Sequence, residues 1–403
     1  MKNFIVSTLV FYLLLLTFIA CAPTVSKIAK PPEEPPSKIN VIEEEIKPPE
    51  RKEKRLPFYG TIISTIRISK DSFNPSQKEE IALSYTLLQD ALITMKVYDP
   101  DHGLIKTVED KEWRKPGDGS IIWDGKDLEG KTVPDEAYYF TLRAENREGK
   151  EEIYDPTIFS GGIERDIINV DIDKENYAIN YRLPQAARVL IRIGTEGGPL
   201  LKTLTDWEPR VAGAITEYWN GKDENNIIRV YDHPKFKMIV TYFTLPENSV
   251  ITYGNQKIAY REYKELLISN QPIKPERERT MESTERVSHH YRLPRTQDYS
   301  PALDMSFPNA VKIEKDGTPV LKDKTIVRVE LKDKDKRYFT EQQYEVTFFL
   351  DTEFYAEEEV GYSPYNWTWN LTDIEPGEHI VTVNLSSFKD QIGMLSRKVR
   401  IIK

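Results

Sequence analysis

Cysteine is almost missing from this 403-residue chain. The only one is Cys21, so no intramolecular disulfide and no cysteine-rich metal site can form. Histidine is also scarce. Five are scattered along the chain, and the one adjacent pair, His289 and His290, falls in a polar stretch where neighbours rarely chelate a single metal. No block of Lys and Arg stands apart from the acids, and the net charge is −9, so nucleic acid is not expected as a partner. Phosphate loops and G-x-S-x-G elbows are absent. The S-x-x-K at 386–389 lacks the S-D-N and K-T-G companions that a β-lactamase-like site needs. Paired carboxylates occur chiefly in turns and charge runs, which solvation explains without catalysis. These absences predict neither an enzyme nor a bound cofactor.

One long apolar run does exist. Lys2 is followed by residues 4–20, all uncharged and mostly apolar, and the run ends "FIAC" at Cys21. This resembles a bacterial lipoprotein signal peptide (residues 1–20), with Phe18 where the usual pattern has Leu. The resemblance implies cleavage before Cys21, acylation of its sulfur and anchoring to a lipid bilayer. Ala22 after the Cys implies the outer membrane, facing periplasm or surface. An uncleaved N-terminal helix is the alternative, since 17 apolar residues sit near the lower limit for spanning. Residues 21–57 carry three Pro-Pro pairs among charges and cannot build a core. They predict an extended, flexible stalk reaching on the order of 100 Å.

From there the pattern is strands. Ile81, Leu83, Tyr85 and Leu87 alternate with polar neighbours, as do Ala91, Ile93, Met95 and Val97. The text then repeats 96 residues on. Laid over each other without a gap, residues 85–127 and 181–223 share 15 identities in 43 positions, so the chain contains an internal duplication. Both copies end on W-(D/N)-G-K-D: Trp123, Asp124, Gly125 and Asp127 in the first, Trp219, Asn220, Gly221 and Asp223 in the second. Asp or Asn before Gly is turn chemistry, and a Trp at a strand end covers the end of a small sandwich. These eight residues are expected to form structural corners, with Asp127 and Asp223 accepting backbone N–H groups.

On those motifs the two copies resemble the immunoglobulin-like module of the flagellar hook-capping protein family. The match includes Asn74-Pro75, Val97-Tyr98-Asp99, the Trp123 loop with Gly130, and Tyr181-Arg182-Leu183-Pro184. The second copy lacks the Gly after Asp223, which leaves the form of its loop open. The C-terminal stretch "SPYNWTWNLTDIEPGEHIVTV" resembles a different group of bacterial Ig-like domains. The expected fold is all-β: three tandem Ig-like β-sandwiches, at 58–155, 156–252 and 301–403. A polar linker is expected at 253–300, with a short helix near Tyr260.

Two ligand readings remain beside the scaffold. Asp99 with Asp101, or Asp124 with Asp127, could offer oxygens to calcium, although the spacing fits no EF-hand. Trp113, Trp207, Trp367 and Trp369 lie outside the corner pair and could stack on sugars. Trp113 and Trp207 are not equivalent in the two copies, and Trp367 and Trp369 share one strand face, as core residues do. The sequence therefore predicts a lipid-anchored envelope protein that positions a protein partner. A carbohydrate-binding lipoprotein and an accessory protein of a secreted hydrolase or appendage system are the alternatives.

Overall fold

The computed structural model describes residues 60–255, 257–268, 286–339 and 342–403. The expected signal peptide, Cys21 and the stalk expected at 21–57 lie outside the described residues.

Alternation makes the strands. The first group is β1 (Ile63–Ile68), β2 (Ser72–Phe73), β3 (Ile81–Leu87), β4 (Ala91–Tyr98), β5 (Leu104–Arg114), β6 (Gly117–Trp123), β7 (Ala137–Asn146) and β8 (Glu151–Tyr154). The second is β9 (Glu164–Asp166), β10 (Asp171–Asp173), β11 (Ala178–Leu183), β12 (Ala187–Thr195), β13 (Leu200–Arg210), β14 (Gly213–Tyr218) and β15 (Phe236–Thr244). A connecting region follows with β16 (Val250–Thr252), α1 (Tyr260–Ile268) and α2 (His289–Arg292). The last group is β17 (Leu303–Ser306), β18 (Lys312–Ile313), β19 (Pro319–Lys322), β20 (Lys324–Leu331), α3 (Asp333–Phe339), β21 (Tyr344–Leu350), β22 (Glu353–Glu358), β23 (Tyr365–Asn370), β24 (Gly377–Ser387) and β25 (Ile392–Ile402).

These strands build three Ig-like sandwiches, each a three-stranded sheet packed on a larger one. In the first, β1-β3-β6 faces β2-β16-β7-β4-β5, with β8 also on β7. In the second, β10-β11-β14 faces β13-β12-β15-β9. In the third, β17-β20-β23 faces β18-β19-β25-β24-β21-β22. The inward residues of β3 and β4 fill the first core around Trp123, and their counterparts on β11 and β12 fill the second around Trp219. Trp369, Phe348 and Phe339 anchor the third.

The duplication extends to unusual backbone. Lys111 and Trp207, 96 apart, both sit at a φ of 53°, at the bulges where β5 and β13 leave regular pairing. Gly130 in the first corner has a φ of 78°, and Asn226, at the same offset from Asp223, takes 60°. Asn tolerates this left-handed conformation best after Gly, so the second loop keeps its turn without the missing glycine.

The expected second module, 156–252, ends on β16, but β16 pairs with β7 and β2 of the first sandwich rather than with its own. Within 253–300, expected as a polar linker, several described residues pack against the sandwiches, while Tyr253 and Leu266 stay exposed. Tyr263 of α1 enters the first core. Arg261 reaches the third sandwich, 3.1 Å from the Asp335 carboxylate, with its guanidinium over the rings of Tyr299 and Tyr338. Burial here is achieved by ion pairs and cation–π contacts rather than by apolar runs, which is why hydropathy reads the segment as solvated. Among the described residues, no helix is long and apolar enough to cross a membrane.

Candidate functional site

The two Trp-led loops have one internal geometry. Trp123 Nε1 donates to the Lys126 carbonyl at 2.9 Å, and Trp219 Nε1 donates to the Lys222 carbonyl at 2.7 Å. Asp124 Oδ1 accepts from Lys126 N–H and Asn220 Oδ1 from Lys222 N–H, at 3.2 and 3.0 Å. Asp127 Oδ1 accepts from the N–H groups of Glu129 and Lys131, and Asp223 Oδ1 from those of Ile227 and Ile228. Gly125 and Gly221 adopt φ of 69° and 78°, and a Cβ on either would lie 2.3 Å from Pro75 or Tyr231. Both a left-handed backbone and close packing therefore require glycine.

The rings face inward. Trp123 is 0% exposed and meets Phe73, Tyr138 and Phe140 edge-on at 5.5–6.0 Å between centroids. Trp219 packs against Tyr231 at 4.3 Å. Besides the different amides that Asp127 and Asp223 cap, only the first corner reaches the helix: Asp127 Oδ2 accepts from the Tyr263 hydroxyl of α1 at 3.0 Å.

The oxygen pairs considered for calcium are engaged elsewhere. Asp99 Oδ1 accepts from the N–H groups of Asp101 and Gly103, and its Oδ2 lies 2.5 Å from Lys264 Nζ. Asp101 Oδ1 accepts from Arg295 N–H. Among the described residues, no three His, Cys, Asp or Glu side chains come together as a metal site. Asp99 is fully enclosed. Burial pushes its carboxyl up to about 6 against the opposing pull of Lys264. Between its ordinary value of 3.8 and about 6, the folded chain thus holds a proton that the unfolded chain has lost. Stability should fall as pH rises through that window. In Asp99→Asn this slope is expected to flatten, read as melting temperature against pH.

The aromatic candidates for sugar stacking are mostly covered. Trp207 is buried against Phe243 and stacked on His290 at 4.7 Å. Trp369 is buried, and Trp367 is stacked between it and Phe348. Trp113 is half-exposed, with the Arg147 guanidinium 4.7 Å from its ring centre.

A polar cluster that the sequence did not reveal lies where the first two sandwiches meet residues 286–300. Glu136, just before β7, is 2% exposed. One of its oxygens lies 2.7 Å from Arg188 of β12, and the other 3.0 Å from Arg295. The Ala137 N–H also donates to it at 2.7 Å. Arg295 N–Hs reach the Asp298 and Asp206 carbonyls, and Arg188 donates to the Trp207 carbonyl. The Asp298 carboxylate meets His290 Nδ1 at 2.5 Å, and the Asp206 carboxylate accepts from Ser300 N–H at 2.6 Å. Burial alone would raise the Glu136 carboxyl, but the two guanidiniums hold it below its ordinary value. Burial would likewise lower Arg295, and Glu136 with Asp298 holds it up.

A cleft of about 40 Å³ opens beside this cluster, lined by residues that include His102, Tyr139, Arg188, Tyr291 and Arg295. It has room for a few ordered waters. Chemically, the arrangement neutralises charge and fixes position: each carboxylate and guanidinium is already committed to a partner in the protein. Comparing the copies supplies the signal that could have located it. Arg188 stands where the first copy has Leu92, and Trp207 where it has Lys111.

No family model matches the chain, and no curated protein matches it. Among solved structures it is similar to the fibronectin(III)-like modules of Clostridium thermocellum CbhA, at 11% identity over 84% of this chain and 94% of that one, with a TM-score of 0.19. It is similar to a structure from a 1.5-MDa bacterial ice-binding adhesin, at 11% identity over 84% and 97%, TM-score 0.17. It is also similar to an endo-β-1,4-mannanase from Thermotoga petrophila, at 15% identity over 48% of this chain and 30% of that one, TM-score 0.20. The Ig-like assignment itself stands on the strand order and the three cores.

Proposed function

We propose that this is a non-enzymatic, lipid-anchored envelope protein that holds a protein partner at a set place and orientation. The acylated Cys21 ties the chain to the outer membrane, and the Pro-rich stalk lifts two hook-cap-like modules and a C-terminal Ig-like domain away from it. The observation that carries this reading is the buried Glu136–Arg188–Arg295 cluster. Enclosed charge pairs are poor sources of stability but specify one geometry, and fixed geometry is what a positioning scaffold needs. The Trp corners serve the same end as interior braces. Binding would use the sheet edges and loops that remain open.

Anchoring has a direct test. The wild-type chain should fractionate with membranes and begin at an acylated Cys21 by mass spectrometry of the mature protein. Cys21→Ser should lose the acyl label. A mature chain that still starts at Met1 would refute the lipoprotein reading. Co-purification from native membranes, with and without cross-linking, should recover one protein in fixed proportion. Recovery of the chain alone would count against the scaffold.

A further inference from the structure

The third sandwich leaves one long edge open. β22 pairs with β21 on one side, and no described strand pairs with the other. Its backbone N–H and C=O groups on that side are available as a template for another strand. The segment is rich in carboxylates: Glu357, Glu358 and Glu359 follow one another, and Glu345 lies close by on β21. Among the described residues no Lys, Arg or His forms an ion pair with these four, although Glu358 accepts from the Tyr365 hydroxyl and Glu353, at the start of β22, pairs with Lys235. Burial first, then the charges of Glu357 and Glu359, pushes the Glu345 carboxyl up. The same segment exposes large apolar groups: Phe354 at 57%, Val360 at 68% and Tyr362 at 58%.

We infer that the free edge of β22 binds an extended basic segment of a partner protein by strand addition. Main-chain pairing along β22 supplies affinity, and Glu345, Glu357 and Glu359 select Lys or Arg at alternate positions of the incoming strand. Phe354 and Tyr362 would cover the aliphatic stems of those side chains. A second copy of this chain is disfavoured at the same edge, because pairing β22 with itself brings its own carboxylates together. A metal is disfavoured because no three acids converge there.

This inference rests on the scaffold reading, but its test is separate from anchoring and co-purification and can fail while they stand. The full chain in detergent is titrated by fluorescence anisotropy with a labelled peptide of roughly eight residues, a strand's length, alternating Val or Thr with Lys. Saturable binding is expected, weakened about tenfold in Glu345→Gln/Glu357→Gln/Glu359→Gln, from three exposed charge pairs. The same peptide N-methylated at alternate backbone nitrogens should not bind, nor should one with Glu in place of Lys. If the triple variant misfolds by circular dichroism, Glu357→Gln alone, at an exposed position, still reads the effect. Equal binding of the N-methylated peptide would reduce the edge to non-specific charge attraction and overturn the proposal. Unchanged affinity in the variant, absence of binding, or displacement of the peptide by an oligosaccharide would overturn it too.

Discussion

Glu136→Ala is expected to destabilise the junction of the first two sandwiches by about 3–5 kcal/mol, the usual cost of stripping one partner from a buried ion pair. The reason is what stays behind. Arg188 and Arg295 are held inside by Trp207, Asp298 and the surrounding sheets, so neither guanidinium can return to water without opening the interface. Two like charges would then share a small enclosed space, with only Asp298 and Asp206, each already engaged elsewhere, left to offset them. Hydrogen exchange should locate the loss at β7, β12 and residues 286–300, while the third core stays protected. Glu136→Leu combined with Arg188→Leu and Arg295→Met should recover much of the stability, because removing the whole set removes the desolvation cost as well. The acid dependence provides an independent check. Because the Glu136 carboxyl is held low in the fold, its contribution is present above the ordinary carboxylate range and lost as pH falls through the lowered value. Glu136→Ala should lack that part of the acid transition. An unchanged profile would mean that the cluster does not couple the modules.

This junction also marks the limit of what the sequence discloses. Strands were legible because period two is a local signal: Ile81, Leu83, Tyr85 and Leu87 lie within seven residues and face one core. The corners were legible because Trp, Asp and Gly form their turn within a few residues and the text occurs twice. Glu136, Arg188 and Arg295 span 160 positions, and each looks like an ordinary surface charge in its own neighbourhood. Their meaning comes from three segments meeting, which no window along the chain contains. The short β16 was hidden for a related reason. Three residues give no period, and its partners β2 and β7 lie far upstream. Where duplicated modules diverge at inward or interface positions, as Leu92 does from Arg188, the divergence points to a contact that only one copy makes.

The second large effect is expected at the first corner. Trp123→Ala should cost about 3–5 kcal/mol, the range for emptying a fully buried aromatic site. Phe73 of β2 and Tyr138 and Phe140 of β7 all meet the indole edge-on, so removing it strips ring contacts from two strands of the facing sheet at once. Trp123→Phe separates packing from hydrogen bonding. It keeps much of the volume but removes the Nε1–H that satisfies the Lys126 carbonyl, for an expected loss of about 1–3 kcal/mol. The same pair at Trp219 should rank the same way, since its donor reaches Lys222 by the same route. The first site should be the more sensitive, because a loosened loop also releases Asp127, and with it the Tyr263 contact that holds α1. Chemical denaturation measures the loss, and protection of the α1 amides measures the release. A corner that served a ligand would behave differently: Trp123→Phe would leave the denaturation midpoint in place and change only binding. A brace predicts the reverse, with stability falling at both corners and α1 loosening only when the first one is cut.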